Sequence, residues 1–407
     1  MTMISITFLV FMIYAFLVQE CHSLVEPTKL SKLPPHAGYH GGGADPKKPF
    51  FEGWYMRIVT QQQGSLALIF HVFDPHLQNS QRRGVGMQVI TPSGSAILES
   101  PDFSTFRADP HQLELRNYFA ATGDFFRLTS ECASGRTSSA KFSSDTIARI
   151  EYELDMVPQI GWGGYNGARQ YSTAGWLAAF PIFEPHYQVL ISRGKTMGSL
   201  TVHKKNGEEE SYDLNDATMY LEKNWGASFP SQWWWIQANT FQSDLCVTST
   251  AGRRGIPLMG DEEEVGLVAL HWNGEFLPFP NVKWDVRWGG WNIFGRYNEY
   301  TVKLTGVCDD EGFPVDCPTS SGMESIAKET FHGRLRVQLY KRNTLVLDET
   351  TDEACLEVGG LPWICKSWES ESQMKEPIKS IAMNVQLENK VSDLLEAASL
   401  FIDIPGL

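Results

Sequence analysis

The stretch Lys223–Phe241, KNWGASFPSQWWWIQANTF, holds four tryptophans, two asparagines and a lysine. Read as an extended strand from Trp233, its side chains alternate between two faces, with Trp233, Trp235, Gln237 and Asn239 on one and Trp234, Ile236 and Ala238 on the other. The first face mixes aromatic walls with amides, which suits the floor of an apolar site. Upstream, Gly226 and Pro230 are turn formers, so Asn224 and Trp225 are expected on a loop at the mouth of that site. The plain alternative is a tryptophan-rich sheet core, since tryptophan buries a large area wherever it can.

Outward from this stretch the chain keeps a strand rhythm. In FFEGWYMRIV, alternation puts Glu52 and Trp54 on one face and Tyr55 with Arg57 on the other, so a carboxylate lies beside an indole. Gly64–Phe73 reads as a strand with both faces apolar. Further short strands are predicted at Gly86–Thr91, Phe125–Ser130, Thr146–Met156, Gln188–Arg193, Gly198–His203, Val265–Trp272, Val282–Trp288, Tyr300–Leu304 and Gly333–Tyr340. Many short strands with turn signals and no βαβ alternation predict an all-β barrel or sandwich architecture. The two halves share this aromatic-rich character, which predicts two tandem barrel-like domains, 34–210 and 211–370, joined in the polar segment Lys204–Asp216. In the tail, 371–407, Leu387, Val391, Leu394, Leu395, Ala398 and Phe401 recur at helical spacing, which predicts an amphipathic helix. Packing onto the barrel or docking on a lipid surface would each bury its apolar face.

The 407 residues suffice for a large core, and a formal charge of −14 without any basic run argues against a nucleic-acid or anionic-membrane surface. Phe8–Val18 is an apolar run of signal-peptide length, so residues 1–23 are expected to be a targeting segment; the n-region has no lysine or arginine, which leaves an uncleaved anchor as the alternative. The seven cysteines show no CxxC spacing, and the pairs Cys308/Cys317 and Cys355/Cys365 permit bridges without requiring them. His36 and His40 are four apart, but the surrounding glycines and prolines forbid a helix, and no metal site is expected.

Chemistry-bearing groups are few. Glu184 and His186 flank Pro185 and share a face if extended, either as an acid–base pair or as a satisfied buried polar pair. Glu52 and Asp285 are further carboxylates inside aromatic clusters. No GxSxG, Walker-type, dinucleotide or HExxH motif occurs, which lowers the standing of the enzyme classes that depend on them.

Five stretches, HAGYH (His36–His40), FFEGWY (Phe50–Tyr55), STAGWLAAFPIFEPHYQV (Ser172–Val189), KNWGASFPSQWWWIQAN (Lys223–Asn239) and EVGGLPW (Glu357–Trp363), stand in the order found in the tocopherol cyclase family, which this chain resembles. Weaker likeness lies in LHWNGEFLPF, VKWDVRWGGW and the final IDIPGL. The chain departs at Ala227 and Ser228, in an acidic insert around Asp261–Glu264, and in a presequence unlike a plant transit peptide.

The resemblance implies two lipocalin-like halves and an enzyme that closes the chromanol ring of a prenylated benzoquinol without any cofactor. Ring closure adds a quinol O–H across a prenyl double bond, so no electrons are exchanged. It needs an acid able to protonate an alkene, a wall that stabilises a tertiary cation, and a base for the phenolic proton. A carboxyl group in an apolar site stays protonated near neutral pH, and an indole face stabilises a cation by about 0.5–2 kcal/mol. Glu184 with His186 stands first among the candidate acids, then Glu52 and Asp285. Asn224 and Gln237 are expected to orient the quinol, and Trp54, Trp225, Trp233 and Trp235 to wall the cation. The competing classes are a non-catalytic prenyl-lipid carrier and a hydratase of isoprenoid double bonds, which differs by admitting water. A signal-like start on a chain resembling a plastid family implies entry to a complex plastid through the secretory route, with secretion or endomembrane residence as the alternative.

Overall fold

A computed structural model describes residues 34–77, 80, 82–163, 170–173, 185–255, 262–319, 322–360 and 366–373. The predicted targeting segment and the predicted C-terminal amphipathic helix lie outside these residues, as do Glu184 and Cys365.

The chain forms two antiparallel sheets, one to each half of an all-β fold. The first takes β1 (Phe51–Val59), β2 (Ser65–Phe73), β3 (Gly84–Thr91), β4 (Gly94–Ser100), β5 (Arg107–Ala108), β6 (Glu114–Phe119), β7 (Asp124–Thr129), β8 (Cys132–Thr137), β9 (Lys141–Phe142), β10 (Ile147–Ile160), β11 (His186–Lys204), β12 (Glu209–Asp213) and β13 (Ala217–Gly226). The second takes β14 (Gln232–Ala238), β15 (Leu245–Gly255), β16 (Glu262–Trp272), β17 (Glu275–Phe279), β18 (Asn281–Arg287), β19 (Gly290–Tyr297), β20 (Tyr300–Val307), β21 (Phe313–Thr319), β22 (Gly322–Lys341), β23 (Thr344–Gly359) and β24 (Trp368–Glu371).

Alternation sorts the side chains into three apolar bodies. Trp54, Met56 and Ile58 of β1, with Leu66, Leu68, Phe70 and Val72 of β2, fill the first half. Trp234, Ile236 and Ala238 of β14 fill the second, with Trp284 and Trp291. The opposite faces of the same strands supply a third cluster, with Ala67 and Ile69 from the first half meeting Trp233, Trp235, Ala269, Phe331 and Cys355 from the second. Strands buried on both faces therefore read as nearly continuous apolar runs, as β2 does, and each fully buried large side chain is worth about 1.5–3 kcal/mol.

Polar groups staple the halves together through this third layer. The Arg57 guanidinium, on the face of β1 that looks away from the first core, donates to Gln237 Oε1 (2.8 Å) and to the carbonyl of Glu353 (2.7 Å) across the junction, and to Ser65 Oγ (3.0 Å) within its own half. Asn239, just beyond β14, donates to the carbonyls of Ser192 (3.1 Å) and Met219 (3.0 Å) in the first half.

Two expectations are corrected here. The polar segment Lys204–Asp216 is not the join between halves: it spans the tip of the β11–β12 hairpin, where Gly207 takes φ +89°, then β12 and the turn after it, and the first sheet continues through β13. An exposed hairpin tip carries the same polar composition as a linker. Asn224 and Trp225 are not on a loop either. They are paired within β13 to Gly53 and Glu52 of β1 on one side and to Tyr187 and His186 of β11 on the other, so the turn begins only after Gly226. Cys308 and Cys317 are both free thiols.

Candidate active site between the two halves

A cavity of about 1270 Å³ lies at the junction, walled by the outward faces of β1, β11 and β13 from the first half and of β14, β16 and β23 from the second. Three buried carboxylates converge on this layer. Glu222 follows from the alternation of β13, which turns Leu221, Lys223 and Trp225 into the first half and leaves Glu222 and Asn224 facing the cavity. Glu357 stands on β23 directly opposite Trp235, and Glu329 stands on β22 opposite Glu357.

Each carboxylate has a distinct set of donors. Glu222 Oε2 accepts from the hydroxyls of Tyr187 (2.6 Å) and Tyr220 (2.5 Å) and from the Trp235 indole (3.2 Å), which also reaches the Tyr187 hydroxyl at 3.2 Å. Glu357 Oε1 accepts from the Trp233 indole at 2.5 Å. That indole packs against Gly359, where a Cβ would sit 2.0 Å from the ring, so the glycine of EVGG is required by close approach. Glu329 accepts from Tyr55 and from the Cys355 thiol, and its second oxygen has no partner among the described residues.

Burial dominates the electrostatics. It pushes Glu357 up to about 8, helped by the neighbouring Glu329 and Glu222 charges and opposed by the Trp233 hydrogen bond. It pushes Glu222 up to about 7 against the pull of its three donors. Glu329 is raised as well, against its two hydrogen bonds and the Arg57 charge. Glu357 thus holds its proton at neutral pH, which is the property general acid catalysis requires, while Glu222 is divided between its neutral and ionised forms there.

Of the residues singled out in the sequence, Trp233 and Trp235 line this cavity and Asn224 borders it. Gln237 serves instead as the acceptor that holds Arg57. Glu52 and Trp54 border the cavity along β1, but Trp54 belongs to the first core and Glu52 pairs with the fully buried Lys223 ammonium. Burial raises the Glu52 carboxyl, but the Lys223 charge and the bonds from His40 outweigh it and hold the group below its ordinary value, as an ionised carboxylate. Trp225 does not wall the cavity. It faces the first core, where His40 stacks on it at 4.1 Å and His186 at 5.0 Å between ring centroids. Burial lowers His186 to about 4, so the imidazole is neutral at pH 7, and its Nδ1 has no partner among the described residues. Asp285 lies exposed on the outward face of β18, bonded to Ser367, and is removed from the cavity because its neighbours Trp284 and Val286 take the inward face. The acid–base pairing of His186 with Glu184 falls outside the described residues. Among the described residues no group of three His, Cys, Asp or Glu side chains is placed to hold a metal ion.

The carboxylates Glu222, Glu329 and Glu357 went unmarked in the sequence because they come from three separate strands. Only the EVGG run carried a signal, through the glycine that admits Trp233 beside Glu357.

Comparison with known proteins places these residues in a family. The tocopherol cyclase-like family model matches residues 48–360. The chain is 30% identical over 404 residues to the chloroplastic tocopherol cyclase of Zea mays, covering 87% of this chain and 83% of that one. It is 30% identical over 396 residues to a probable chloroplastic tocopherol cyclase of Oryza sativa subsp. japonica, covering 85% and 82%. Among solved structures, CghA aligns at a TM-score of 0.45 and 10% identity over 78% of this chain and 89% of that one. Kievitone hydratase from Nectria haematococca aligns at 0.42 and 13% over 84% and 95%. The structural likenesses are too weak to argue from, but the match across most of the sequence is not: the chain belongs to the tocopherol cyclase-like family.

Proposed function

We propose that the protein closes the chromanol ring of a prenylated benzoquinol, with Glu357 as the proton donor. The observation that carries this reading is the fully buried Glu357 carboxyl, pushed up to about 8, on the wall of a cavity that Trp233 and Trp235 also line. The Glu357 proton passes to the less substituted carbon of the nearest prenyl double bond. The tertiary cation that develops lies against Trp233 and Trp235, whose faces supply about 0.5–2 kcal/mol of stabilisation. The quinol oxygen closes the ring onto the cation. Confinement between the halves limits water, whose addition to the same cation would give a tertiary alcohol. The plastid is the proposed compartment, supported by the chloroplastic curated relatives, with residues 1–23 as the targeting segment.

The test is to incubate the purified protein anaerobically with a prenylated benzoquinol in D₂O and separate the products. Ring closure by this route gives a chromanol with one deuterium on the new ring methylene carbon. A tertiary alcohol instead would favour hydration, and recovery of unchanged, protein-bound quinol would favour a lipid carrier.

A further inference from the structure

The donor described above leaves the phenolic proton unassigned, and the same cavity holds a second group suited to take it. Glu222 and Tyr187 both line the wall, joined by the 2.6 Å bond from the Tyr187 hydroxyl to Glu222 Oε2. That oxygen also accepts from Tyr220 and Trp235, so three donors converge on one carboxylate oxygen, the arrangement that favours an anion. Among the described residues Glu357 accepts one side-chain bond, from Trp233, and faces other carboxylates, the arrangement that favours the neutral acid. Two carboxyl groups in one cavity with opposed surroundings divide naturally into an acid and a base.

We propose that Glu222, with the Tyr187 hydroxyl it holds, is the base that accepts the proton of the attacking quinol oxygen. This rests on the ring-closure reading and extends it. The quinol O–H donates to the Tyr187 oxygen while the Tyr187 hydroxyl proton moves to Glu222, or the quinol O–H donates to Glu222 directly. The phenolic O–H bond breaks as the C–O bond forms, and the alkene π bond breaks as the C–H bond forms with the Glu357 proton. No electrons are gained or lost. One turnover leaves Glu222 protonated and Glu357 ionised, and return of one proton from Glu222 to Glu357 restores the starting state.

The test compares a prenylated benzoquinol with a ring-fluorinated analogue, whose more acidic hydroxyl depends less on a base. Wild type, E222Q, Y187F and E357Q are each assayed on both, and each variant is expressed as a ratio to wild type on the same quinol. E222Q is expected to lose about 10²–10⁴-fold in kcat on the parent quinol and to recover at least about tenfold of that on the fluorinated one. E357Q is expected to lose equally on both. An E222Q with wild-type kcat, or one whose loss is the same on both quinols, overturns the assignment. If thermal melts show E222Q unfolded, Y187F decides: it removes one hydroxyl, and its smaller loss must likewise shrink on the fluorinated quinol, or the assignment fails. If wild type cyclises neither quinol, the ring-closure reading itself is wrong and the assignment falls with it, an outcome distinct from a failure of the variants alone.

Discussion

At Glu357 burial and two neighbouring carboxylates outweigh a single hydrogen bond and decide a protonation state. The group titrates at about 8 in the fold against an ordinary 4.5. Between those values the folded chain holds a proton that the unfolded chain has released, so stability falls as pH rises through that window. Glu222, raised to about 7, acts in the same direction. Urea melts of the wild type are expected to show a midpoint that declines between about pH 5 and about pH 8, and E357Q a shallower decline; equal slopes would mean that Glu357 titrates normally. The Trp233 indole favours the Glu357 anion, so W233F is expected to move the alkaline limb of the pH–rate profile upward while also costing cation stabilisation. An unmoved or lowered limb would disconnect that indole from the acid. Alternation made the faces of Trp233, Trp234 and Trp235 legible in the sequence. The acid was not legible, because Glu357 acquires its properties from residues on β14, β13 and β22 that meet it only after the halves pack. Glu222 sits one position before the stretch on which the sequence reading turned.

Among the elements, β1 and β13 do double service, filling the first core with one face and walling the cavity with the other. Arg57 and Tyr55 on β1 both have partners across the junction, and Arg57 is the charged one of the two. Its removal leaves Gln237 and the Glu353 carbonyl unsatisfied and Glu329 without a nearby positive charge. R57M is therefore expected to cost about 3–5 kcal/mol, measured by denaturant melts, whereas a cost near zero would mean that the junction is held by apolar packing alone. The strands themselves were readable from period and turn residues. The predicted pair Gln188–Arg193 and Gly198–His203 proved to be one strand, β11, because the glycines at 194 and 198 bend it without ending it. Boundaries set by polar composition failed at Lys204–Asp216, where a hairpin tip and a linker look alike.

For the whole molecule, the apolar layer shared by the halves means that neither half has a finished surface. A fragment covering 34–226 expressed alone would expose Ala67, Ile69 and Tyr220 to water, and is expected to bind a hydrophobic dye and to lack a cooperative melt. A cooperatively folding, dye-silent fragment would show the halves to be independent and the junction to be secondary. The proposed site exists only in the joined molecule, since its proposed acid comes from the second half and its proposed base from the first. The measurement that tests this account most directly is single-turnover ring closure by E357Q, alongside quinol affinity read from tryptophan fluorescence. Glutamine keeps the volume and hydrogen-bonding ability of the carboxyl but has no proton to give to carbon, so the account predicts a fall in rate of at least about 10²-fold with affinity unchanged. Ring closure at the wild-type rate would contradict it and place the donor elsewhere, with Glu184 the next carboxyl to substitute.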